Sequence, residues 1–104
     1  VKITDEQAMP QLAECEFRIA CDVTNVLCGP NGASAVYGPQ KGATPSMADQ
    51  MDRWLQSYAE LVKDKYPTAN PMQAGAGAAG GLGFAFLSFT NARPIPVPIV
   101  LCLL

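Results

Sequence analysis

The residue types able to do chemistry in this chain fall in three short stretches. Asp22 and Asn25 lie in Ala20-Cys21-Asp22-Val23-Thr24-Asn25, Lys41 lies in Gly38-Pro39-Gln40-Lys41-Gly42, and a third stretch runs Gly75-Ala76-Gly77-Ala78-Ala79-Gly80-Gly81-Leu82-Gly83. A carboxylate can orient or deprotonate a hydroxyl, and an ammonium can neutralise an anionic group. Backbone amides laid bare by glycine can hold phosphate or carboxylate oxygens. The chain has no histidine, which removes the imidazole base, the Ser/His and Cys/His nucleophile pairs and most catalytic zinc sites. Any chemistry here rests on carboxylate, lysine or backbone groups.

These groups need elements to position them. Phe17, Ile19 and Val23 read as a short buried strand with Arg18 at its start. Asp22 then falls near the C-terminal end of the strand, where open α/β sheets hold their ligands. The competing reading makes Asp22 a structural acid that caps the loop from Thr24 onward. Gly29-Pro30 and Asn31-Gly32 mark tight turns, with Asn31 the expected N-cap of a short helical stretch from Gly32 to Tyr37. Gly38-Pro39 closes that stretch and leaves Lys41 on a loop, either reaching toward a site or simply solvated.

The clearest helix runs from Thr44 to Tyr66, with Thr44 as cap, Pro45 at the first helical position and Pro67 ending it. Met47, Met51, Trp54, Leu55, Tyr58, Leu61 and Val62 recur at three- and four-residue spacing and form one apolar stripe, with Trp54 expected to anchor the helix on the sheet. Asp49 with Arg53, and Glu60 with Lys63, are spaced to pair on the polar side. Upstream, Thr4 can cap a short helix through Met9 that Pro10 limits or restarts.

Gly75 to Gly80 matches G-x-G-x-x-G, but a dinucleotide fingerprint needs a preceding strand and an acid about 20 residues later. Thr68 to Gln73 is not strand-like and positions 95 to 104 hold no acid, so a nicotinamide cofactor is excluded. What remains is a small-residue turn leading into a buried helix from Leu82 to Phe89. Its first amides can bind an anion, or its glycines can serve only close packing. Arg93-Pro94-Ile95-Pro96-Val97-Pro98 suits an extended segment, followed by six apolar residues from Ile99 to Leu104. Such a strand exposes an apolar edge unless another chain segment covers it, and it reads as a strand cut from its context.

The blocks Arg18 to Asn25, Gly32 to Gly42 and Gly75 to Gly83, in that order and spacing, resemble the central part of the bacterial glycerate kinases of the two-domain α/β type (the glycerate 2-kinase family). The resemblance covers roughly positions 10 to 92 and fades at both ends. It implies an α/β fold of short strands with packed helices, a fragment of a larger two-domain α/β kinase. In domain terms, residues 1–104 are expected to form a partial glycerate kinase domain with an atypical end at 93–104. The implied reaction transfers the γ-phosphoryl of ATP to D-glycerate with Mg2+, most often giving 2-phosphoglycerate. The residue types suit it, since phosphoryl transfer needs a carboxylate on the hydroxyl, a cation on the phosphate and backbone donors around the anionic groups. Asp22 and Lys41 are the catalytic candidates, and Asn25, Gly77, Gly80 and Gly81 the candidates for substrate or phosphate binding. Asn25 can hold substrate or metal, and no dedicated metal-ligand set is expected. The family's N-terminal substrate- and nucleotide-site blocks do not occur in this sequence, so a shortened module that binds glycerate or phosphate without turnover, or has only a structural role, is the rival reading.

Composition bounds the rest. A chain of 104 residues makes one small domain that buries about 60 to 70 % of its unfolded surface. Hydrophobic residues at 49 %, charged residues at 15 %, and nine glycines with nine prolines describe a loop-rich globular chain. A net charge of −2 without a basic cluster excludes nucleic acid as a partner. No apolar run approaches the ~20 residues that span a bilayer, and Val1 to Pro10 lack a signal-peptide pattern. Cys15, Cys21, Cys28 and Cys102 show no C-x-x-C spacing, so reduced thiols and a cytoplasmic location are expected. The expected partners are the small-molecule substrate, and the rest of the kinase chain or a second copy covering the apolar C-terminal strand.

Overall fold

A computed structural model describes residues 2–96. The expectations for Cys102 and for the apolar run from Ile99 to Leu104 therefore lie outside the described residues. Two short strands, β1 (Arg18–Cys21) and β2 (Arg93–Pro96), pair in parallel with Arg18 opposite Arg93 and Cys21 opposite Pro96. Parallel strands cannot be joined by a hairpin, and the long crossover between them carries α1 (Ala33–Tyr37), α2 (Pro45–Lys65) and α3 (Leu82–Phe89). The α/β fold of short strands with packed helices expected from the sequence is the fold observed.

The sheet is tied at its start. Register sets Arg18 opposite Arg93, and Glu16 reaches both guanidinium groups, at 3.1 and 3.3 Å. Arg18 first and then Arg93 hold the Glu16 carboxyl below the usual carboxylate range. Asn91 clasps the same end, donating from Nδ2 to the Cys15 carbonyl at 2.6 Å. The β1 strand is not buried as its apolar pattern suggests. Phe17, Ile19, Cys21 and Val23 are half-buried, and Arg18 and Ala20 are exposed, because β1 has one neighbouring strand among the described residues.

The core is formed by Leu27, Cys28, Ala59, Val62, Ala69, Ala76 and Phe84, with Leu55, Tyr58, Tyr66 and Leu87 packed around it. Tyr58 meets Phe84 edge to face at 5.6 Å between ring centroids, an arrangement that aromatic quadrupoles favour. The α2 helix begins as its sequence dictates, with Thr44 Oγ1 accepting from the Met47 amide at 3.2 Å and Pro45 at the first position. Arg53 and Asp49 pair at 2.9 Å, whereas among the described residues Glu60 and Lys63 form no ion pair. The helix is rotated so that Leu55, Tyr58, Ala59 and Val62 face the core. Trp54, 65 % exposed, does not anchor it. One residue is roughly 100° of helical rotation, so a stripe this broad cannot bury both edges against one small core. Met47 and Met51 share the outer edge, at 51 % and 37 % exposure.

Two local expectations are corrected. No helix runs from Thr4 to Met9: a turn closed by the Ala8 amide on the Asp5 carbonyl is followed by a 3-10 helix over Pro10–Glu14. The cause is Pro10, since its ring excludes the helical region for the preceding residue, and Met9 is extended at φ −67°, ψ 127°. Asp5 instead secures this segment to the end of α2 through the Tyr66 hydroxyl at 2.9 Å and Lys65 Nζ at 3.2 Å, and these partners keep its carboxyl below its ordinary value. Nor does Asn31 cap α1. Gly32 is the cap residue without a side-chain bond, and the first helical amide, that of Ala33, donates to the Leu27 carbonyl at 3.0 Å.

Candidate active site

Asp22 follows directly on the last residue of β1, so the end of the strand carries its carboxylate outward. Lys41 closes a 3-10 turn, Pro39–Lys41, whose exit is made by Gly42 in the left-handed region at φ 96°. Gly42 and Ala43 donate back to the Pro39 and Gly38 carbonyls, which fixes the turn that presents the lysine.

The glycine-rich stretch is held by backbone contacts that leave no room for a side chain at Gly77 or Gly83. A Cβ at Gly77 would stand 2.2 Å from the Val26 carbonyl oxygen, and one at Gly83 would stand 2.2 Å from that of Gly75. The Gly77 amide donates to the Asn25 carbonyl at 2.9 Å, and the Phe84 amide to that of Ala76 at 2.9 Å. At the start of α3 the Leu82 amide donates to Ala78. Close packing thus accounts for Gly77 and Gly83, and Gly81 packs against the Leu27 and Leu55 side chains. Between them Ala79, Gly80 and Gly81 have φ of 52°, 72° and 110°, three successive left-handed residues. For alanine that conformation costs roughly 1–2 kcal/mol, and the turn aims its backbone outward. Gly80 has nothing within 4 Å of where a Cβ would stand.

These three parts surround one hollow of about 400 Å3. Asp22 lines it from the end of β1, Lys41 and Gln40 from the 3-10 turn, Ala78, Ala79 and Gly80 from the left-handed turn, and Tyr37 and Phe86 from α1 and α3. Among the described residues Asp22 and Lys41 are its only charged ones, and they are not within ion-pair distance of each other. An anion with a hydroxyl fits that arrangement: the ammonium can take the negative charge while the carboxylate accepts from the hydroxyl.

Of the residues singled out in the sequence, Asp22, Lys41 and Gly80 meet at this hollow, while Gly77 and Gly81 stand behind it in packing. Asn25 lies outside its lining. Its Nδ2 donates to the Asn31 carbonyl at 3.0 Å, and its Oδ1 accepts from the Tyr37 hydroxyl at 2.6 Å. Sequence reasoning missed Tyr37. The available signal was its spacing of four residues from Lys41, which on a helical path puts two side chains on one face.

The sequence profile of the glycerate kinase family matches residues 1–101. The chain is 49 % identical over 87 residues to a glycerate kinase of Haemophilus influenzae, covering 84 % of this chain and 23 % of that protein. It is 48 % identical over 84 residues to a glycerate 2-kinase of Escherichia coli K12, covering 81 % of this chain and 22 % of the relative. It also superposes on the crystal structure of a protein assigned as glycerate kinase 2 from Salmonella typhimurium LT2. The TM-score is 0.90 at 42 % identity, over 96 % of this chain and 27 % of that one. The chain therefore spans about a quarter of the length of the relatives it matches.

Proposed function

The chain belongs to the glycerate kinase family, and from that premise we propose that the polypeptide carrying it transfers the γ-phosphoryl group of ATP to D-glycerate, with Mg2+, giving 2-phosphoglycerate. The observation that carries this reading is the meeting of Asp22, Lys41 and Gly80, from three distant parts of the chain, around one hollow. In the proposed step the glycerate hydroxyl oxygen attacks the γ-phosphorus, its proton passes to the Asp22 carboxylate, and the bond to the departing ADP oxygen breaks. Lys41 meets the negative charge on the group in transfer. The bare backbone at Gly80 lets phosphate oxygens come close.

Mg2+ is usually held by one or two carboxylates together with phosphate oxygens and water. No group of three metal-ligating side chains occurs among the described residues, and Asp22 is the one carboxylate on the hollow. On the hollow this segment would thus supply at most a single carboxylate ligand to the ion, whose part when bound is to neutralise phosphate charge. We read residues 1–104 as part of one kinase domain, with positions 10–92 holding the site-forming blocks. A cytoplasmic setting fits the free thiols of Cys15, Cys21 and Cys28.

The test is a full-length enzyme carrying this segment, assayed for ADP release with D-glycerate, with the product identified by 31P NMR. Release of ADP dependent on D-glycerate, with the phosphate on the 2-hydroxyl, is the expected result. No glycerate-dependent release overturns the reading, and a 3-phosphate product overturns its regiochemistry.

A further inference from the structure

Asn25 stands next to the hollow without lining it, and its side-chain amide and backbone carbonyl are engaged elsewhere. Nδ2 donates to the Asn31 carbonyl, Oδ1 accepts from the Tyr37 hydroxyl at 2.6 Å, and its backbone carbonyl takes the Gly75 and Gly77 amides at 3.2 and 2.9 Å. One residue thus ties the loop after β1, the glycine-rich stretch and the end of α1. Tyr37 is the piece it holds on the site side. A second, smaller hollow of about 280 Å3, walled by Ala33, Ser34, Met47 and Met51, shares Tyr37, Lys41 and Gly80 with the first. Tyr37 belongs to the partition between the two.

We propose that Asn25 is a positioning residue that acts through Tyr37, fixing the tyrosine ring as the wall between the two hollows and beside Lys41. The inference rests on the reading of the larger hollow as the active site. The hydroxyl proton of Tyr37 is already given to Asn25, so the ring serves by its surface and not as a donor to substrate. Without that bond the ring can swing about its side-chain torsions, and the lysine loses its fixed neighbour. Small displacements of positioning groups are costly because transfer needs the reacting atoms aligned.

The test is a double-mutant cycle in a full-length enzyme carrying this segment. Tyr37→Phe and Asn25→Leu are each expected to lower kcat/KM for glycerate roughly tenfold, the scale of one lost hydrogen bond. The double substitution is expected to be no worse than either single one. Asn25→Asp, which still accepts from the hydroxyl, is expected to keep most of the rate, and with Tyr37→Phe it carries the comparison if Asn25→Leu does not fold. Losses that multiply, or an Asn25→Leu loss far beyond that of Tyr37→Phe, would show that Asn25 touches substrate itself and overturn the inference. So would a lowered Tm with kcat/KM per folded molecule unchanged. Asp22→Asn measured in parallel separates the two claims. Full activity there removes Asp22 from the chemistry, while coupling between Asn25 and Tyr37 is still read from its own cycle.

Discussion

At the scale of single residues, the hollow contrasts a carboxylate that touches it with buried groups that do not. If Asp22 takes the hydroxyl proton, Asp22→Asn in a full-length enzyme keeps the shape and removes the base, so kcat should fall by about 10²- to 10⁴-fold with the denaturation midpoint little moved. A loop-capping acid would be replaced by asparagine at little loss, since the amide oxygen accepts the same bonds. Lys41→Met should weaken use of ATP through the lost charge on the phosphates, and unchanged kinetics would mark a solvated lysine. Cysteine chemistry gives a second test. Cys15 is exposed, whereas burial, aided by the Asp52 carboxylate, pushes the Cys28 thiol up to about 11. The thiolate is the reactive form, so in the native protein at pH 8 iodoacetamide should label Cys15 well before Cys28. Under denaturing, non-reducing conditions all four thiols should react. Equal native labelling of Cys15 and Cys28 would contradict the burial of Cys28.

At the scale of elements, the glycines differ in what they do, and substitution separates them. Gly83 in the first turn of α3 faces the Gly75 carbonyl, backbone against backbone, and a Cβ there would stand 2.2 Å away. Gly83→Ala must push α3 off the glycine-rich stretch, at a cost of about 1–3 kcal/mol or more. Gly80→Ala meets open space and bears only the left-handed penalty of roughly 1–2 kcal/mol. In a full-length enzyme Gly83→Ala should therefore lower the denaturation midpoint more than Gly80→Ala, and the reverse order would refute the packing seen here. The elements themselves were unevenly legible. The 21-residue α2 could be read from its cap, its proline and its period because those are local effects summed over many residues. The cap of α1 could not: Asn31 does not cap it, and its first amide is satisfied by the Leu27 carbonyl, a partner that no local pattern announces.

At the scale of the molecule, the proposed function assigns this chain three of the parts that phosphoryl transfer needs, in a segment that covers only 23 % of the Haemophilus influenzae relative. Both substrates and the metal must be held in line, so the 104-residue chain by itself should give no glycerate-dependent ADP release. Turnover by homogeneous material near the ~1 to 100 s⁻¹ of ordinary kinases would show that the chain suffices. No helix among the described residues is long and apolar enough to cross a membrane. The apolar outer edge of α2, with Met47, Met51 and Trp54, is the largest departure from the burial that its periodicity suggests.

What the sequence by itself determined is what depends on neighbours along the chain. Thr44 and Pro45 start α2 there, Gly38 and Gly42 punctuate the lysine turn, and the three motif blocks carry the family. The tertiary structure alone decided which of the marked residues meet. Asp22 and Gly80 are 58 positions apart, and they line one hollow because the Gly75 and Gly77 amides bond the Asn25 carbonyl just after β1 and α3 packs at the Gly83 contact. The same packing turned Asn25 away from the hollow and Tyr37 into it: the half-buried Asn25 amide settles where both its donor and its acceptor find partners, and those partners come from Asn31 and Tyr37. Hydrophobic period told which residues of α2 are apolar. Which of them are buried was settled by the small area of the core they share.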